Sequence, residues 1–391
     1  MAHSGALPAQ GECAAFVTVI AAGADADGLA PLRPVLDRED LEFALLFGAP
    51  AALQSAVARG VPAGARSRVF GCTTSGELTP AGYVADSAVC IGFGARHFRA
   101  VSRLIRDLRS FSLQSARDLV LSALWELRSR VPRADARNTF ALLLVDSITQ
   151  AEELVAAALG SELGNIQLVG GSAGDNWSLE RTPLLVGGNL HDDSALLLLV
   201  HTDLDFRHYN FHHYRPSAVR GVITAATPAK RLVHQIDGEP AIRGYARLCG
   251  LAPDAVDVDQ LSVRPLVLMI GDKGYARGIT QICDDGSLRF ACAIDEGLVF
   301  RVAEPGDFVR DLEQRFAAMR AELGPPALTL AFECAARRLV ALREGLQPQV
   351  AELFGANRVW GFSCMGEQSN AVNMNNSFNC IAFSGRATGT R

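Results

Sequence analysis

Two stretches at opposite ends of the chain share one layout without a gap: Val69 to Phe93 reads VFGCTTSGELTPAGYVADSAVCIGF, and Val359 to Phe383 reads VWGFSCMGEQSNAVNMNNSFNCIAF. Gly71, Gly76, Glu77, Ala81, Ser87, Cys90, Ile91 and Phe93 face Gly361, Gly366, Glu367, Ala371, Ser377, Cys380, Ile381 and Phe383. Agreement of this kind inside one sequence points to internal duplication. Each copy has an apolar entry, a glycine-containing turn and an apolar exit, which is a strand, a turn and a strand.

The residues ahead of the first copy complete a larger unit. Residues 43–50 predict a strand, 51–60 a helix and 67–72 a buried strand running into the turn, so the unit begins as β-α-β. A second occurrence follows, with a strand over 139–147, an amphipathic helix over 150–163 and a strand and turn over 166–175, where Gly174 and Asp175 take the part of Gly76 and Glu77. Asp193-Ser194-Ala195 repeats Asp86-Ser87-Ala88, and Phe206-Arg207 repeats Phe98-Arg99. Between these copies, the helical spacing of apolar residues over 101–130 predicts one long surface helix or two shorter ones.

After residues 215–221 the pattern changes. It predicts a strand, a turn at Asp237-Gly238 and a helix over 230–251, then strands within 264–272, 278–294 and 297–307, with a hairpin turn at Asp285-Gly286. A helix over 308–323, a strand over 328–336, a helix over 347–355 and a strand over 358–364 lead into the last copy. The expected fold class is α/β, in two domains built from repeated β-α-β-turn-β units with mixed sheets covered by helices. Its divisions are an N-terminal segment 1–38 holding a first strand near 15–20, a domain over 39–218 with two internal repeats, and a domain over 219–391.

Composition narrows the function classes. Over 391 residues, 49% hydrophobic and 20% charged describe a soluble globular chain with no membrane span, and a net charge of −5 without basic clusters argues against nucleic-acid binding. The first residues lack the pattern of a signal peptide, so a cytoplasmic protein is expected. The nine cysteines are an odd number without a CxxC pair, and they read as reduced, packed thiols.

The turns are the first candidate site. Thr73, Thr74, Gly76 and Glu77, Gly174 and Asp175, and Gly366 and Glu367 gather backbone N–H groups, hydroxyls and carboxylates at one end of a sheet, where α/β proteins hold ligands. The same residue types also simply make tight turns. Glu77 and Glu367 read as a related pair at one ligand site. Cys72 invites a nucleophile reading, but the other copies carry Phe362 and Gly171 or Ser172 there, which favours packing.

Five of the eight histidines fall between His191 and His213, and NFHHYRP sets His212 and His213 among Tyr209, Phe211 and Tyr214. Neighbours on a strand face opposite ways, so at most one of the pair enters a given pocket. An imidazole among aromatic residues is what an axial haem ligand requires, although such clusters are also surface or core polar groups. The spacing does not match a zinc site.

Taken together, GCTTSGELTPAGY (71–83), LVGGSAGDNW (168–177), TPAKRLVHQIDGEPAIRGYARLCG (227–250) and GFSCMGEQ (361–368) resemble the FIST family, in which a FIST N region precedes a FIST C region. The resemblance implies a bacterial sensory module for small ligands that works alone or beside histidine kinases, diguanylate cyclases and chemotaxis components, and no enzymatic activity. Stand-alone members with the GCTTxGE turn resemble a nitric-oxide-sensing group that binds b-type haem. Such proteins regulate a partner histidine kinase or a cyclic-di-GMP enzyme, a diguanylate cyclase or phosphodiesterase. Carried over to LDFRHYNFHHYRP, the axial ligand to haem iron is His213, before Tyr214, with His212 beside it. The alternative within the family is a small polar ligand such as an amino acid, held without iron by Thr73, Thr74, Glu77 and Glu367. A Cys72-dependent enzyme is the third reading, and an oligomer is compatible with all three.

Overall fold

The computed structural model describes residues 15–22, 30–271 and 273–387. The first unit holds β1 (Phe16–Ala22), α1 (Arg33–Leu36), β2 (Leu41–Gly48), α2 (Pro50–Ala58), β3 (Val69–Thr73), the hairpin β4 (Glu77–Thr79) and β5 (Gly82–Val84), β6 (Ser87–Gly94) and β7 (Phe98–Arg106). After α3 (Leu113–Arg130) the second unit repeats this with β8 (Thr139–Val145), α4 (Glu152–Leu163), β9 (Gln167–Ser172), the hairpin β10 (Leu184–Val186) and β11 (Asn189–His191), β12 (Ser194–Thr202) and β13 (Leu204–Phe211).

An intervening region begins with β14 (Tyr214–Thr227), β15 (Leu232–Ile236), β16 (Glu239–Pro240), α5 (Ala241–Cys249) and α6 (Val258–Val263). It continues with β17 (Leu266–Ile270), β18 (Lys273–Arg277), β19 (Ile279–Ile282), β20 (Leu288–Phe290) and β21 (Val299–Pro305). After α7 (Phe308–Leu323) the third unit runs β22 (Pro326–Cys334), α8 (Ala335–Arg343), α9 (Gln347–Ala356), β23 (Val359–Cys364), the hairpin β24 (Glu367–Ser369) and β25 (Val372–Met374), and β26 (Phe378–Ala387).

Each unit forms the centre of a six-stranded sheet and lends its hairpin to another. The orders are β1-β6-β2-β3-β10-β11, β25-β24-β9-β8-β12-β7 and β13-β26-β22-β23-β4-β5. The hairpin of the second unit thus completes the first sheet, that of the third completes the second, and that of the first completes the third. The intervening residues build a separate eight-stranded sheet.

Alternation along the strands makes the ring. Phe43, Leu45 and Phe47 of β2, Phe140, Leu142 and Leu144 of β8, and Leu330 and Phe332 of β22 meet in one central core. Their neighbours Leu46, Leu143 and Ala331 face outward under the covering helices. A strand buried on both faces must be apolar throughout, which explains runs such as FALLLV. The glycines of the repeat are fixed by close approach. A Cβ on Gly71, Gly170 or Gly361 would lie 1.7, 1.9 or 1.8 Å from the carbonyl oxygen of Leu46, Leu143 or Ala331.

Three expectations change. Residues 101–106 belong to β7, which pairs along its length with β12, so the expected helix begins only at Leu113. The division at 218/219 falls inside β14, and the third unit shares the central core with the first two while α7, just before it, packs on its outer face. A further helix, α8, starts directly from the end of β22.

Candidate functional site

The three turns meet by backbone hydrogen bonds that close a cycle. Ser75 N donates to Ser363 O at 3.0 Å, Met365 N to Ser172 O at 3.2 Å and Gly174 N to Thr73 O at 3.0 Å. In this cycle Gly174 stands where Ser75 and Met365 stand, not where Gly76 does. The carboxylate of Asp175 caps its own loop, accepting from the N–H groups of Leu179, Glu180 and Arg181. The residue equivalent to Glu77 and Glu367 is Leu184: these three open their hairpins opposite Cys72, Phe362 and Gly171 respectively, in the order Leu184, Glu77, Glu367.

Glu77 and Glu367 share a local design. Glu77 accepts from Thr74 Oγ1 at 2.5 Å and Ser87 Oγ at 2.6 Å; Glu367 accepts from Ser377 Oγ at 2.7 Å and from Cys364 Sγ at 3.2 Å. Both are fully buried, and burial pushes them up to about 7 and about 8, against the hydrogen bonds that favour the charged form. They lie on hairpins of different sheets. Gly76 has φ +113°, and a Cβ there would strike the Arg338 guanidinium, which donates to Ser75 O. Thr73 and Cys72 are sealed in, and burial together with Glu77 raises the Cys72 thiol well above its ordinary value.

His213 is also a core residue, 3% exposed. Its Nδ1 accepts from Arg337 Nη1 at 2.6 Å, its ring packs on Phe308, and Arg337 Nε reaches Glu333 at 3.1 Å. Burial, with Arg337 beside it, holds the imidazole well below its usual range and therefore neutral. With Nδ1 accepting, the ring proton is on Nε2, so neither nitrogen offers iron a lone pair. His212 stacks on Tyr214 and bonds to its carbonyl through Nδ1 at 2.9 Å. These surroundings do not fit an axial haem ligand. Among the described residues no group of three His, Cys, Asp or Glu side chains is placed to hold a metal ion.

A cavity of about 280 Å³ lies where the third unit meets the intervening sheet. None of the turn candidates named from the sequence lines it. Its walls are Cys364, Met365, Cys334, Asn375, Asn376 and the first residues of α8 on one side, with Leu261, Ser262, Gly278, Ile279, Thr280 and Ala291 opposite and Trp177 at the edge. A second cavity of about 330 Å³ shares Thr280, Ala291 and Met365 with it and is walled by Arg231 and Glu152.

Two features give the first cavity its chemistry. Asn376 Nδ2 donates to Ser262 O at 2.9 Å, which fixes the amide and leaves Oδ1 buried without a partner. Facing the same space is the start of α8, whose N-cap Cys334 makes no side-chain cap, so the helix brings uncapped N–H groups. Asn376 is reached through a positive φ of +56°, as at Asp86 (+51°) and Asp193 (+46°), the equivalent positions before β6 and β12. Sequence reasoning paired the two aspartates and passed over the asparagine; the shared Ser87, Ser194 and Ser377 that follow were the available signal.

Among curated proteins no match was found. Solved structures of similar layout include cyanuric acid hydrolase from A. caulinodans, at 10% identity and a TM-score of 0.39 over 94% of this chain and 99% of that one. A second cyanuric acid hydrolase structure has 7% identity and a TM-score of 0.37 over 94% and 99%. A chorismatase has 9% and 0.35 over 95% and 98%. Likeness at this level carries no argument about activity. The FIST N domain model matches residues 42–239 and the FIST C domain model residues 241–370. Together they span most of the sequence, and the chain belongs to the FIST family.

Proposed function

We propose that this FIST protein senses a small zwitterion of amino-acid size, bound in the cavity between α8 and the intervening sheet. FIST domains are sensor domains of signal transduction, so the open question is the ligand. The observation that carries the reading is Asn376, a 1%-exposed residue of the cavity wall whose Oδ1 has no partner, set in the same wall as the uncapped start of α8. A buried acceptor calls for a donor such as an ammonium group, and helix N–H groups call for a carboxylate. Leu261, Ile279 and Leu339 leave an apolar wall for a side chain. The volume lies just below the roughly 300–1,000 Å³ of drug-sized ligand pockets, which suits an amino acid.

Calorimetric titration with the common amino acids tests this. One or more is expected to bind, with Asn376→Ala weakening it about tenfold or more, the scale of a hydrogen bond to a charged group. No heat and no thermal shift with any of them would sink the reading.

Nitric-oxide sensing through b-type haem on His213, with a histidine kinase or cyclic-di-GMP enzyme as the regulated partner, requires Arg337 to release the imidazole. A Soret band in the purified protein that disappears in His213→Ala puts that reading ahead; a protein that stays colourless after haem titration removes it.

A further inference from the structure

We infer that Cys334 and Cys364 form a redox-modification site, a dithiol in the cavity wall that a peroxide entering the cavity converts to a disulfide. The two residues are direct partners across the parallel strands β22 and β23. Neighbouring strands lie about 4.7–4.9 Å apart, inside the Cα separation of about 4.4–6.8 Å that a disulfide spans. Partners in register point to the same face, and both side chains border the 280 Å³ cavity. Their sulfurs also share one neighbour: Cys364 Sγ donates to Glu367 Oε1 at 3.2 Å, and burial, with the charge of the same carboxylate, raises the Cys334 thiol. Cys90 and Cys380, by contrast, lie opposite Leu46 and Ala331 on the strands beside them.

The chemistry balances with hydrogen peroxide as oxidant. Where Glu367 is ionised, one thiol passes it a proton and the sulfur attacks a peroxide oxygen. The O–O bond breaks, the leaving hydroxide takes that proton back and departs as water, and the sulfur becomes a sulfenic acid. The second thiol displaces the sulfenic hydroxyl as a second water, forming the S–S bond. Two electrons pass from the thiol pair to the peroxide. Burial and the Glu367 carboxylate raise both thiols, and the place of Cys334 at the N-terminus of α8 favours its thiolate over that of Cys364. The reaction is therefore slow at neutral pH and speeds about tenfold per pH unit as the thiolate fraction grows. This inference does not depend on the identity of the ligand.

The test treats the full-length protein with hydrogen peroxide, removes the excess, unfolds it, alkylates it and maps the peptides without reduction. The expected product joins the Cys334 and Cys364 peptides, lighter by two hydrogens than their sum and separated by dithiothreitol. In Cys364→Ser the linked species is lost, and Cys334 is found unlinked, as the alkylated thiol or as its oxygen adducts. Full alkylation of both cysteines after peroxide treatment of the wild-type protein, or their separate conversion to sulfonic acids, overturns the inference.

Discussion

Arg337 donates to His213 Nδ1 at 2.6 Å while its guanidinium lies 4.3 Å from the centre of the Phe308 ring, so one buried cation is shared by an imidazole, an aromatic face and the Glu333 carboxylate. Arg337 and Glu333 are 1% and 0% exposed. Replacing Arg337 with Met leaves the carboxylate buried without its cation. The expected loss is about 3–5 kcal/mol in urea unfolding, and adding Glu333→Gln should restore a measurable part of it.

Stability should fall as pH rises from 6.5 to 8. Glu77 and Glu367 are raised from 4.5 to about 7 and about 8, so the folded state holds protons that the unfolded chain has released. Their contribution is full below pH 4.5 and is lost as pH passes the folded values. Above 6.5 the buried histidines, which are depressed and act in the opposite sense at lower pH, no longer contribute a slope. The unfolding free energy from urea titrations should decline by on the order of 1 kcal/mol per pH unit. In Glu367→Gln, which keeps an oxygen for Ser377 but cannot ionise, the decline should be clearly shallower; an unchanged slope contradicts the assignment.

Gly71→Ala, Gly170→Ala and Gly361→Ala should each be severe, because a methyl group would have to sit within 2 Å of a backbone oxygen that cannot swing away. A loss of about 3 kcal/mol or failure to accumulate folded protein is expected. Gly64→Ala is the control, with nothing within 4 Å of the new atom. Circular dichroism melts of the four variants decide it.

Arg231 ties the intervening sheet to α4. Its Nη2 meets Glu152 at 2.8 Å and Glu153 at 2.7 Å, and Glu153 also accepts from Ala293 N. Burial pushes Glu152 up to about 7 in spite of Arg231. Arg231→Ala is expected to speed tryptic cleavage within 214–305 several-fold with little change in the ring; uniform cleavage throughout the chain contradicts this.

The ring was legible in the sequence where local pattern fixes structure. Period-two apolar runs, a helix between two strands and Gly71 facing Gly361 all report contacts made within a unit. What stayed hidden was every contact between units. A hairpin carries no mark of the sheet it joins, and the loop before Leu184 shifts the second hairpin along the chain, so Asp175 looked equivalent to Glu77 by nearness alone. The cavity was invisible for the same reason: Asn376, Ser262 and Cys334 are far apart in sequence and meet only because the intervening sheet docks on the third unit. The aromatic setting of His213 suits a neighbour of the buried Arg337–Glu333 pair as well as it suits haem, and the sequence alone does not separate the two.

The exchange of hairpins also dictates an order of assembly as the chain leaves the ribosome. The first sheet draws only on residues up to His191 and can close early. The second must wait for β24 and β25, and until they arrive β9 is a bare edge; β4, β5 and β13 wait equally for β22, β23 and β26. Unpaired strands of this kind are templates for aggregation. A chain cut short before Glu367 therefore leaves those edges bare and cannot close a smaller version of the same ring.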